Sequence, residues 1–447
     1  EKKIFLKKSE ILSPNNDYNF PFLSTGAHVF SKVAFKTIGC KVNQYETGTL
    51  KYHCKEMGYQ ITNFGHPADI YIINTCAVTH EAERKSRQMI RKAKRLNPEA
   101  KIIVTGCAVE ANIDGIKNCD NVEIIAGNFY KNNLVSLFQK HEVCDTQRLI
   151  FQKNVKNIIG YENHHYFLDQ HRCRSFIKIQ DGCDQFCSYC IIPYLRGRPR
   201  SRLPEDILSE IRYQADQGHQ EIVLLGINLG KYGKDLINIK ISLSDLLKRI
   251  HAIPGIERIR LSSIELPYVT EELIHLLNKS SKLCHHLHIP LQSGDDTILY
   301  SMNRPYDTKQ FFKKIDLIKA SVKDIAITTD IIVGFPGEND HSFNRTCAFA
   351  DKISFARIHV FPYSDRPYPL ACFLDPKVDP KIKKKRSNEL VALSQKLRNS
   401  FLYKNIGKIK KVLIEQEISH NNNAFCFGLT DNYIKVYFPA NPACQKG

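Results

Sequence analysis

Three cysteines stand close together in the segment GCDQFCSYC, residues 182–190: Cys183, Cys187 and Cys190. Thiolates bind zinc and iron–sulfur clusters, but three of them leave a tetrahedral zinc site one ligand short. Cys173, ten residues upstream of Cys183, lies on the other side of a predicted strand and is badly placed to be a fourth ligand. Three thiolates on a four-iron cluster leave one iron open to an exogenous ligand. The spacing therefore predicts such a cluster, with a structural zinc or an iron–sulfur relay as the alternative.

Three further cysteines each follow directly after a predicted strand of the N-terminal third. The motifs TIGC, INTC and VTGC end at Cys40, Cys76 and Cys107. Because the carboxyl ends of parallel strands share one edge of a sheet, residues just past them converge where ligands bind. Gly39 and Gly106 would let the backbone turn tightly beside a bulky group. We expect a second cluster here; ordinary packing of small buried residues is the alternative.

The segment that must position this second set alternates apolar strands with polar helices over residues 33–145. Its strands are predicted at 33–39, 69–75 and 101–106. The helix after the second strand should begin at Thr79 as N-cap, with Glu81 and Glu83 in its first turn. Such alternation predicts a parallel sheet with helices on both faces.

A second strand–helix series fills residues 170–380, after a linker-like stretch at roughly 145–172. Strands are predicted at 175–180, 221–226, 257–263, 285–291, 325–334 and 355–362, and helices at 204–217, 242–251 and 338–353. Six such steps predict a complete or partial (β/α) barrel. In that fold, chemistry occurs in the loops that follow the strands.

The pattern changes again over residues 381–447. A basic helix at about 381–404 precedes short β-rich segments, which predict a small antiparallel barrel. The predicted fold class is therefore α/β multidomain, with a parallel-sheet domain, a central barrel and this C-terminal module.

The overall composition favours a polyanionic partner. The chain has 447 residues, 43% apolar and 25% charged, and a net charge of +18. Two acid-poor basic clusters, at 84–95 and 377–411, favour nucleic acid over the simpler interpretation as solvated helix faces. Neither a membrane span nor a signal peptide is evident, and the 15 cysteines do not suggest a disulfide framework. We expect a cytoplasmic protein that contacts no membrane and no DNA.

The order of motifs along the whole chain resembles the methylthiotransferases of the radical S-adenosylmethionine superfamily. The resemblance runs from about 33 to 440 and rests on GCKVNQYET, NTCAVTHEAERKSRQMIRKA, GCDQFCSYCIIPYLRGRPRSR, LLGINLGKYG, RLSSIE, HIPLQSGDD, MNRPY, DIIVGFPGE and GLTDNYIKV. It implies an N-terminal methylthiotransferase domain, a radical barrel and an RNA-binding TRAM domain. It also implies two 4Fe–4S clusters, one per cysteine triad.

The resemblance also implies where the cosubstrate binds. The open iron beside Cys183, Cys187 and Cys190, the catalytic triad, would take S-adenosylmethionine, and reduction would release methionine and a 5′-deoxyadenosyl radical. Tyr189 would lie against the adenine. The other implied contacts are Gly226 and Asn228 to the methionine moiety, and Ser263, Glu265, Gln292 and Asp330 to ribose or methionine.

Within the family, GCKVNQYE is similar to the branch that modifies N6-threonylcarbamoyladenosine at position 37 of transfer RNA. Lys41, Val42 and Asn43 discriminate, since the isopentenyladenosine branch more often reads Gly-Cys-x-Met-Asn and the ribosomal-protein branch Gly-Cys-Pro-Lys-Asn. The implied reaction replaces the C2 hydrogen of adenine by a methylthio group. The alternatives are the same chemistry on isopentenyladenosine 37 or on a ribosomal-protein aspartate. A non-catalytic iron–sulfur RNA-binding protein is the alternative from another class.

The implied partners are the anticodon loop of transfer RNA and an electron donor protein. For RNA contact we expect the basic helix at 84–95 and the C-terminal module. Its aromatic candidates, which lie near lysines, are Phe425, Phe427, Tyr433 and Tyr437. Alternate aromatics on a strand are often half core, so only some of them should face RNA.

Overall fold

The computed structural model describes residues 31–119, 121–141, 148–158, 160–161, 173–420 and 423–440. It contains a parallel N-terminal sheet, a central curved sheet with helices outside it, and a C-terminal antiparallel sheet. None of the helices in these ranges combines the length and the apolar character that a membrane span requires.

The predicted parallel N-terminal sheet is confirmed, with the strand order β2-β1-β3-β4-β5-β6. Its strands are β1 Lys32–Thr37, β2 Gln60–Thr62, β3 Ile70–Thr75, β4 Lys101–Gly106, β5 Ile124–Ala126 and β6 Leu149–Phe151. The described helices are α1 Lys41–Glu56, α2 His80–Leu96, α3 Cys107–Ala111, α4 Ile113–Lys117 and α5 Leu134–His141. All six residues of β3 are buried, as expected of a strand covered on both faces.

Two features of this domain, the start of α2 and the edge strand β6, can be compared with the sequence predictions. Thr79 is the N-cap of α2, and its side chain accepts a hydrogen bond from the backbone N–H of Ala82 at 3.2 Å, as predicted. Strand β6, by contrast, lies within the stretch expected to be a linker and forms the edge of the sheet beside β5. A strand of three residues is too short to show a periodic pattern, so the linker interpretation was wrong there.

The central region is a partial barrel. Its strands are β7 Arg174–Lys178, β8 Gln180–Asp181, β9 Arg200–Ser201, β10 Glu221–Leu225, β11 Arg258–Leu261, β12 His286–His288, β13 Ala326–Val333 and β14 Arg357–Pro362. Its helices are α6 Ile192–Arg196, α7 Pro204–Asp216, α8 Leu243–His251, α9 Glu271–Lys279, α10 Asp296–Ser301, α11 Thr308–Ser321, α12 Asp340–Ile353 and α13 Pro380–Tyr403.

Six parallel strands form the barrel wall. β7, β10 and β11 pair in one sheet and β12, β13 and β14 in another. Isolated parallel bridges, Ile259 with Leu283 and Ser263 with His288, join the two sheets between β11 and β12. The predicted barrel is therefore confirmed, and the ends of its strands share one rim.

The N-terminal sheet domain packs against the concave side of this barrel. Along β10, Ile222 and Leu224 belong to the large core under the outer helices. Their neighbours Val223 and Leu225 point the other way and pack with Val42 and Tyr45 of α1. The alternation follows from the two-residue period of a strand. It brings α1, whose N-cap is Cys40, against the barrel.

The C-terminal module is a three-stranded antiparallel sheet in the described residues, with β15 Val412–His420, β16 Asn423–Thr430 and β17 Lys435–Pro439. The turn between β16 and β17 docks on the barrel. Arg260, paired with the buried Glu221, donates to the carbonyl of Asp431 at 2.9 Å. The ring of Tyr433 stacks on His286 with centroids 4.7 Å apart. Tyr433 therefore packs against the barrel, whereas Tyr437 is exposed.

Candidate metal centres and cofactor cavity

The N-terminal cysteines lie at one edge of the parallel sheet. Cys40 is the N-cap of α1, Cys76 directly follows β3, and Cys107 begins α3. Strands β1, β3 and β4 are adjacent, so their carboxyl ends bring the three thiols together, as the strand pattern predicted. Burial, followed by the neighbouring Cys107 and then other groups including Cys40, raises the pKa of Cys76 to about 12. The three side chains are thus close enough to interact electrostatically.

Two glycines shape this edge. Gly39 has φ +111°, and a Cβ placed there would lie 2.8 Å from the Cβ of Cys76 and 3.1 Å from its Sγ. Gly106 has φ +105°, and its Cβ would lie 2.5 Å from the carbonyl oxygen of Thr75. Both positions therefore require glycine for conformation and for space.

The second triad occupies the loop after β8. The Cys183 N–H donates to the carbonyl of Gly197 at 3.0 Å, which ties the start of the loop to the end of α6. Around the sulfurs are polar donors: Arg304 Nη1 lies 3.1 Å from the Sγ of Cys187, and the Gln185 N–H lies 3.5 Å from that of Cys183. Cys173 lies elsewhere, 3.4 Å from the carbonyl of Glu415, in agreement with its exclusion as a ligand.

The donor sets bear on which metal group each triad could hold. Across the ranges that the structure describes, no three His, Cys, Asp or Glu side chains meet closely enough to hold a single metal ion. A cubane cluster has a different requirement, because each thiolate binds a different iron. Three thiols in each group fit a 4Fe–4S cluster whose fourth iron takes another ligand.

A cavity of about 190 Å³ lies beside the second triad. Its wall includes Tyr189 and Cys190 from the cysteine loop, and Gln292 and Asp330 from the barrel rim. Residues 78–79, which follow Cys76 by two and three positions, form part of the same wall. The cavity is therefore bounded by the loop of the second triad and by the segment that follows Cys76 of the first.

The remaining predicted cosubstrate residues lie around the cysteine loop. The Asn228 N–H donates to the side chain of Gln180 at 2.8 Å, and its Nδ2 lies 4.0 Å from the Sγ of Cys183. Gly226 adjoins the same glutamine, because a Cβ placed on Gly226 would lie 3.1 Å from Oε1 of Gln180. Ser263 forms the bridge to His288, and Glu265 pairs with Arg304. The structure thus brings these residues to the rim that carries the second triad.

Among the buried side-chain oxygens at this rim that lack a hydrogen-bond partner within the described part of the chain, two belong to predicted cosubstrate contacts. They are Oδ1 of Asn228 and Oε1 of Gln292. Gln292 also has φ +70° and is 8% exposed. An unpaired buried acceptor costs about 1–3 kcal/mol, so a ligand donating to it would remove that cost. Both oxygens are suited to contact a polar cosubstrate.

Sequence reasoning assigned no role to Arg304, which is central to the second triad. In addition to Cys187, its guanidinium contacts the hydroxyl of Tyr189 at 3.3 Å and forms an ion pair with Glu265. Although burial opposes it, these neighbours hold the pKa of Arg304 well above its usual value. Arg304 lies in the motif MNRPY, directly before a proline. That motif contributed to the resemblance, but no role was predicted for its arginine.

Replacement of Arg304 with lysine is expected to lower kcat/KM for S-adenosylmethionine cleavage by about 10- to 100-fold, the range typical of groups that orient metal ligands. Lysine keeps the charge but cannot contact Cys187, Tyr189 and Glu265 together through one planar fork. 5′-Deoxyadenosine formation by the reduced enzyme measures the effect. Arg345→Lys is the control, because Arg345 lies on α12 and pairs with Asp295, the N-cap of α10. An unchanged rate in Arg304→Lys would show that the guanidinium is not needed.

Comparison with known proteins identifies two family models along the chain. The model described as uncharacterized protein family UPF0004 matches residues 32–127, and that of the radical SAM superfamily matches residues 177–350. These segments contain the first and the second cysteine triad, respectively.

Named relatives cover almost the whole chain. Threonylcarbamoyladenosine tRNA methylthiotransferase MtaB of Bacillus subtilis is 38% identical over 91% of this chain and 90% of its own length. The protein of the same name from Thermotoga maritima is 38% identical over 92% of each chain. A tRNA-2-methylthio-N(6)-dimethylallyladenosine synthase of Thermoanaerobacter is 35% identical over 87% of this chain and 83% of its own.

Solved structures agree on the fold. The radical S-adenosylmethionine methyltransferase TsrM of Kitasatospora setae superposes with a TM-score of 0.57 at 14% identity, covering 76% of this chain and 75% of that one. The extent and level of identity to the methylthiotransferases show the family. The chain belongs to the tRNA methylthiotransferases of the radical S-adenosylmethionine superfamily.

Proposed function

We propose that this enzyme installs a methylthio group at C2 of N6-threonylcarbamoyladenosine 37 in the anticodon loop of tRNA, in the cytoplasm. The observation that carries the proposal is the cavity bounded by both cysteine-bearing regions, in a chain with MtaB relatives at 37–38% identity. The proposed domains are residues 33–145 for the methylthiotransferase part, 170–380 for the radical core and 381–447 for the RNA-binding module.

The cofactors are S-adenosylmethionine and two 4Fe–4S clusters. Together they supply radical abstraction of hydrogen, sulfur and a methyl group. In our proposal, Cys183, Cys187 and Cys190 hold the catalytic cluster. Cys40, Cys76 and Cys107 hold the other.

The chain's own residues would bind and orient the cosubstrate. Tyr189, half-buried in the cavity wall, offers a ring face to the adenine, while Arg304 fixes its hydroxyl. Gln292 and Asp330 line the same wall, and Asn228 lies beside Cys183. Apolar wall residues, including Ile332 and Phe361, limit water in the cavity. A radical formed there would have few competing partners.

Helix α2 provides a surface for the tRNA backbone. A groove of about 920 Å³ along this helix is lined by basic side chains and by Asn118 and Asn121. The basic residues are Arg84, Arg87, Arg91, Lys94 and Arg95. Because α2 begins four residues after Cys76, RNA phosphates in this groove would lie on the domain that carries the first triad. In the C-terminal sheet, Tyr437 is exposed and stacks on Phe427, as a base-stacking platform requires.

Replacement of Arg87, Arg91 and Arg95 with glutamine is expected to weaken tRNA binding and to make it less salt-dependent. Each lost phosphate contact lowers the slope of log Kd against log salt by about 0.9, so the slope should fall by about two to three. Filter binding between 50 and 200 mM salt measures this. A triple glutamine variant at the exposed Lys309, Lys313 and Lys323 removes equal charge elsewhere. Equal slopes in the two variants would contradict a specific α2 contact.

The second candidate is the same reaction on dimethylallyladenosine, because proteins with that name are 34–35% identical to this chain. Mass spectrometry of tRNA nucleosides from cells with and without this gene distinguishes the targets. We expect 2-methylthio-N6-threonylcarbamoyladenosine to disappear without the protein and to return on complementation. Loss of the dimethylallyl product instead would establish the second candidate, and unchanged levels of the threonylcarbamoyl product would refute the first.

A further inference from the structure

A buried ion network connects the two cysteine-bearing regions. Its carboxylates are Glu46 on α1 and Asp181 on β8, and its cations are Lys131, Lys178 and Arg196, each at most 8% exposed. Arg196 Nη1 lies 2.8 Å from Glu46 Oε1 and 3.1 Å from Asp181 Oδ1. Lys178 Nζ bridges the same two carboxylates, 2.9 Å from Glu46 Oε1 and 2.7 Å from Asp181 Oδ2. Lys131 Nζ lies 2.5 Å from Glu46 Oε2. Glu46 belongs to the N-terminal sheet domain, and Arg196 and Asp181 to the barrel.

Arg196 and Asp181 bracket the second triad in the chain. Asp181 is two residues before Cys183, and Arg196, the last residue of α6, is six residues after Cys190. The two ends of the cysteine loop are therefore held by one ion pair. Arg196 also binds Glu46, which lies on α1 six residues after Cys40, so the pair is connected to the helix that begins at the first triad.

A second contact extends from Arg196 to the first triad itself. Its Nη2 donates to Oδ1 of Asn43 at 2.9 Å. The Asn43 amide donates to the carbonyls of Ile38, at 2.9 Å, and Thr75, at 3.0 Å. Thr75 directly precedes Cys76, and Ile38 is two residues before Cys40. One side chain, itself held by Arg196, therefore binds the backbone beside two of the three cysteines.

The third cysteine is linked to the same end of α6. The Nδ2 of Asn128 lies 3.8 Å from the Sγ of Cys107 and donates to the carbonyl of Leu195 at 3.2 Å. Leu195 is the neighbour of Arg196. The C-terminal end of α6 is thus connected to all three cysteine segments of the first triad. It also follows the second triad in the chain, and the bond from Arg196 to Asp181 connects it to the segment before that triad.

The cations of the network favour the charged form of the Glu46 carboxyl. Burial opposes ionisation, but Arg196, Lys131 and Lys178 hold the pKa of the Glu46 carboxyl well below its usual range. Buried ion pairs add little net stability compared with apolar residues, and their best-established role is to specify one geometry. An arginine fork with fixed partners on two domains allows one relative position of those domains.

We propose that Arg196 is a positioning residue that fixes the first cysteine triad relative to the second. This inference rests on the proposed function, because it concerns two centres that must act on one substrate. Arg196 does not line the cavity beside Tyr189. It acts through its bonds to Asn43, Glu46 and Asp181, and its charge also lies near Cys40 and Cys107. Its loss should uncouple methylthiolation from radical formation rather than stop radical formation.

The experiment compares Arg196→Gln and Arg196→Lys with wild type, each anaerobically loaded with iron and sulfide. We expect iron content to stay at the wild-type level and 5′-deoxyadenosine to form within about threefold of it. The yield of methylthio product per 5′-deoxyadenosine should fall about 10- to 100-fold in the glutamine variant, because an error of about 1 Å in geometry has effects of that size. The lysine variant keeps the charge and should recover part of this ratio. If the glutamine variant does not fold, the lysine variant alone carries the comparison.

Arg386→Gln is the matched control, since Arg386 is also a buried arginine that binds two carboxylates, Glu338 and Asp340. A ratio unchanged from wild type in Arg196→Gln, or one lowered equally in Arg386→Gln, would overturn the proposal.

A second measurement does not depend on the substrate. In the fully reduced enzyme, we expect a magnetic interaction between the two clusters to broaden their paramagnetic resonance spectra, and we expect Arg196→Gln to alter this broadening. An identical spectrum would overturn the positioning role. Failure of wild type to form the proposed nucleoside would instead refute the proposed function and leave this spectroscopic test intact.

Discussion

Replacement of Cys183, Cys187 and Cys190 with alanine is expected to lower S-adenosylmethionine cleavage to the level of a protein-free control, a loss of at least about 1,000-fold, because the cofactor supplies the reaction. The three thiols lie in one loop beside the cavity, with Cys190 in its wall. Without them the loop has no thiolate to hold an iron–sulfur cluster next to the cosubstrate. Methylthio product should disappear at the same time.

The loss should arise from the missing cluster and not from unfolding. The loop is held independently of its sulfurs by the Cys183 N–H bond to Gly197 and by the Ser188 side chain, which donates to the carbonyl of Ser301 at 2.6 Å. A triple alanine variant at Cys54, Cys284 and Cys347, which lie outside both triads, is the control. 5′-Deoxyadenosine and product are quantified by chromatography. Cleavage at a tenth of the wild-type rate or more in the triad variant would contradict the assignment.

Replacement of Cys40, Cys76 and Cys107 with alanine is expected to separate the two activities. 5′-Deoxyadenosine should still form, because the second triad and the barrel rim are unchanged. Methylthio product should fall to background, at least about 1,000-fold, since the centre that holds or delivers sulfur would be gone. Quantification of both products from the same reaction mixtures measures the split.

The same triple control, at Cys54, Cys284 and Cys347, applies to the first triad. Equal loss of 5′-deoxyadenosine and of product would mean that the first triad supports the radical step or the fold. Retention of product would mean that it is not needed for sulfur transfer. Either result would refute the division of labour between the triads.

The convergence of Cys40, Cys76 and Cys107 was predictable, because it depends only on the positions of the strands and on their alternation with helices, which indicates a parallel sheet. Each cysteine follows a short apolar strand, and parallel strands place such residues at one edge. The start of α2 was predictable for a similar reason: a threonine N-cap with acids in the first turn is a local signal. These features depend on residues near one another in the chain.

Arg196 and Arg304 could not be assigned in this way. Arg196 reaches Glu46, which is 150 residues away in the sequence, and Arg304 reaches Cys187, which is 117 residues away. No local pattern specifies such partners. Similarly, the composition around Tyr433 suggested RNA contact, but the turn that carries it docks on the barrel, where its ring stacks on His286.

Iron and acid-labile sulfide analysis of the anaerobically loaded enzyme tests most directly whether the chain holds two separate clusters. Two 4Fe–4S clusters predict about eight irons per chain in wild type and about four in either triad variant. About four irons in wild type, unchanged by loss of Cys40, Cys76 and Cys107, would contradict the presence of a second cluster.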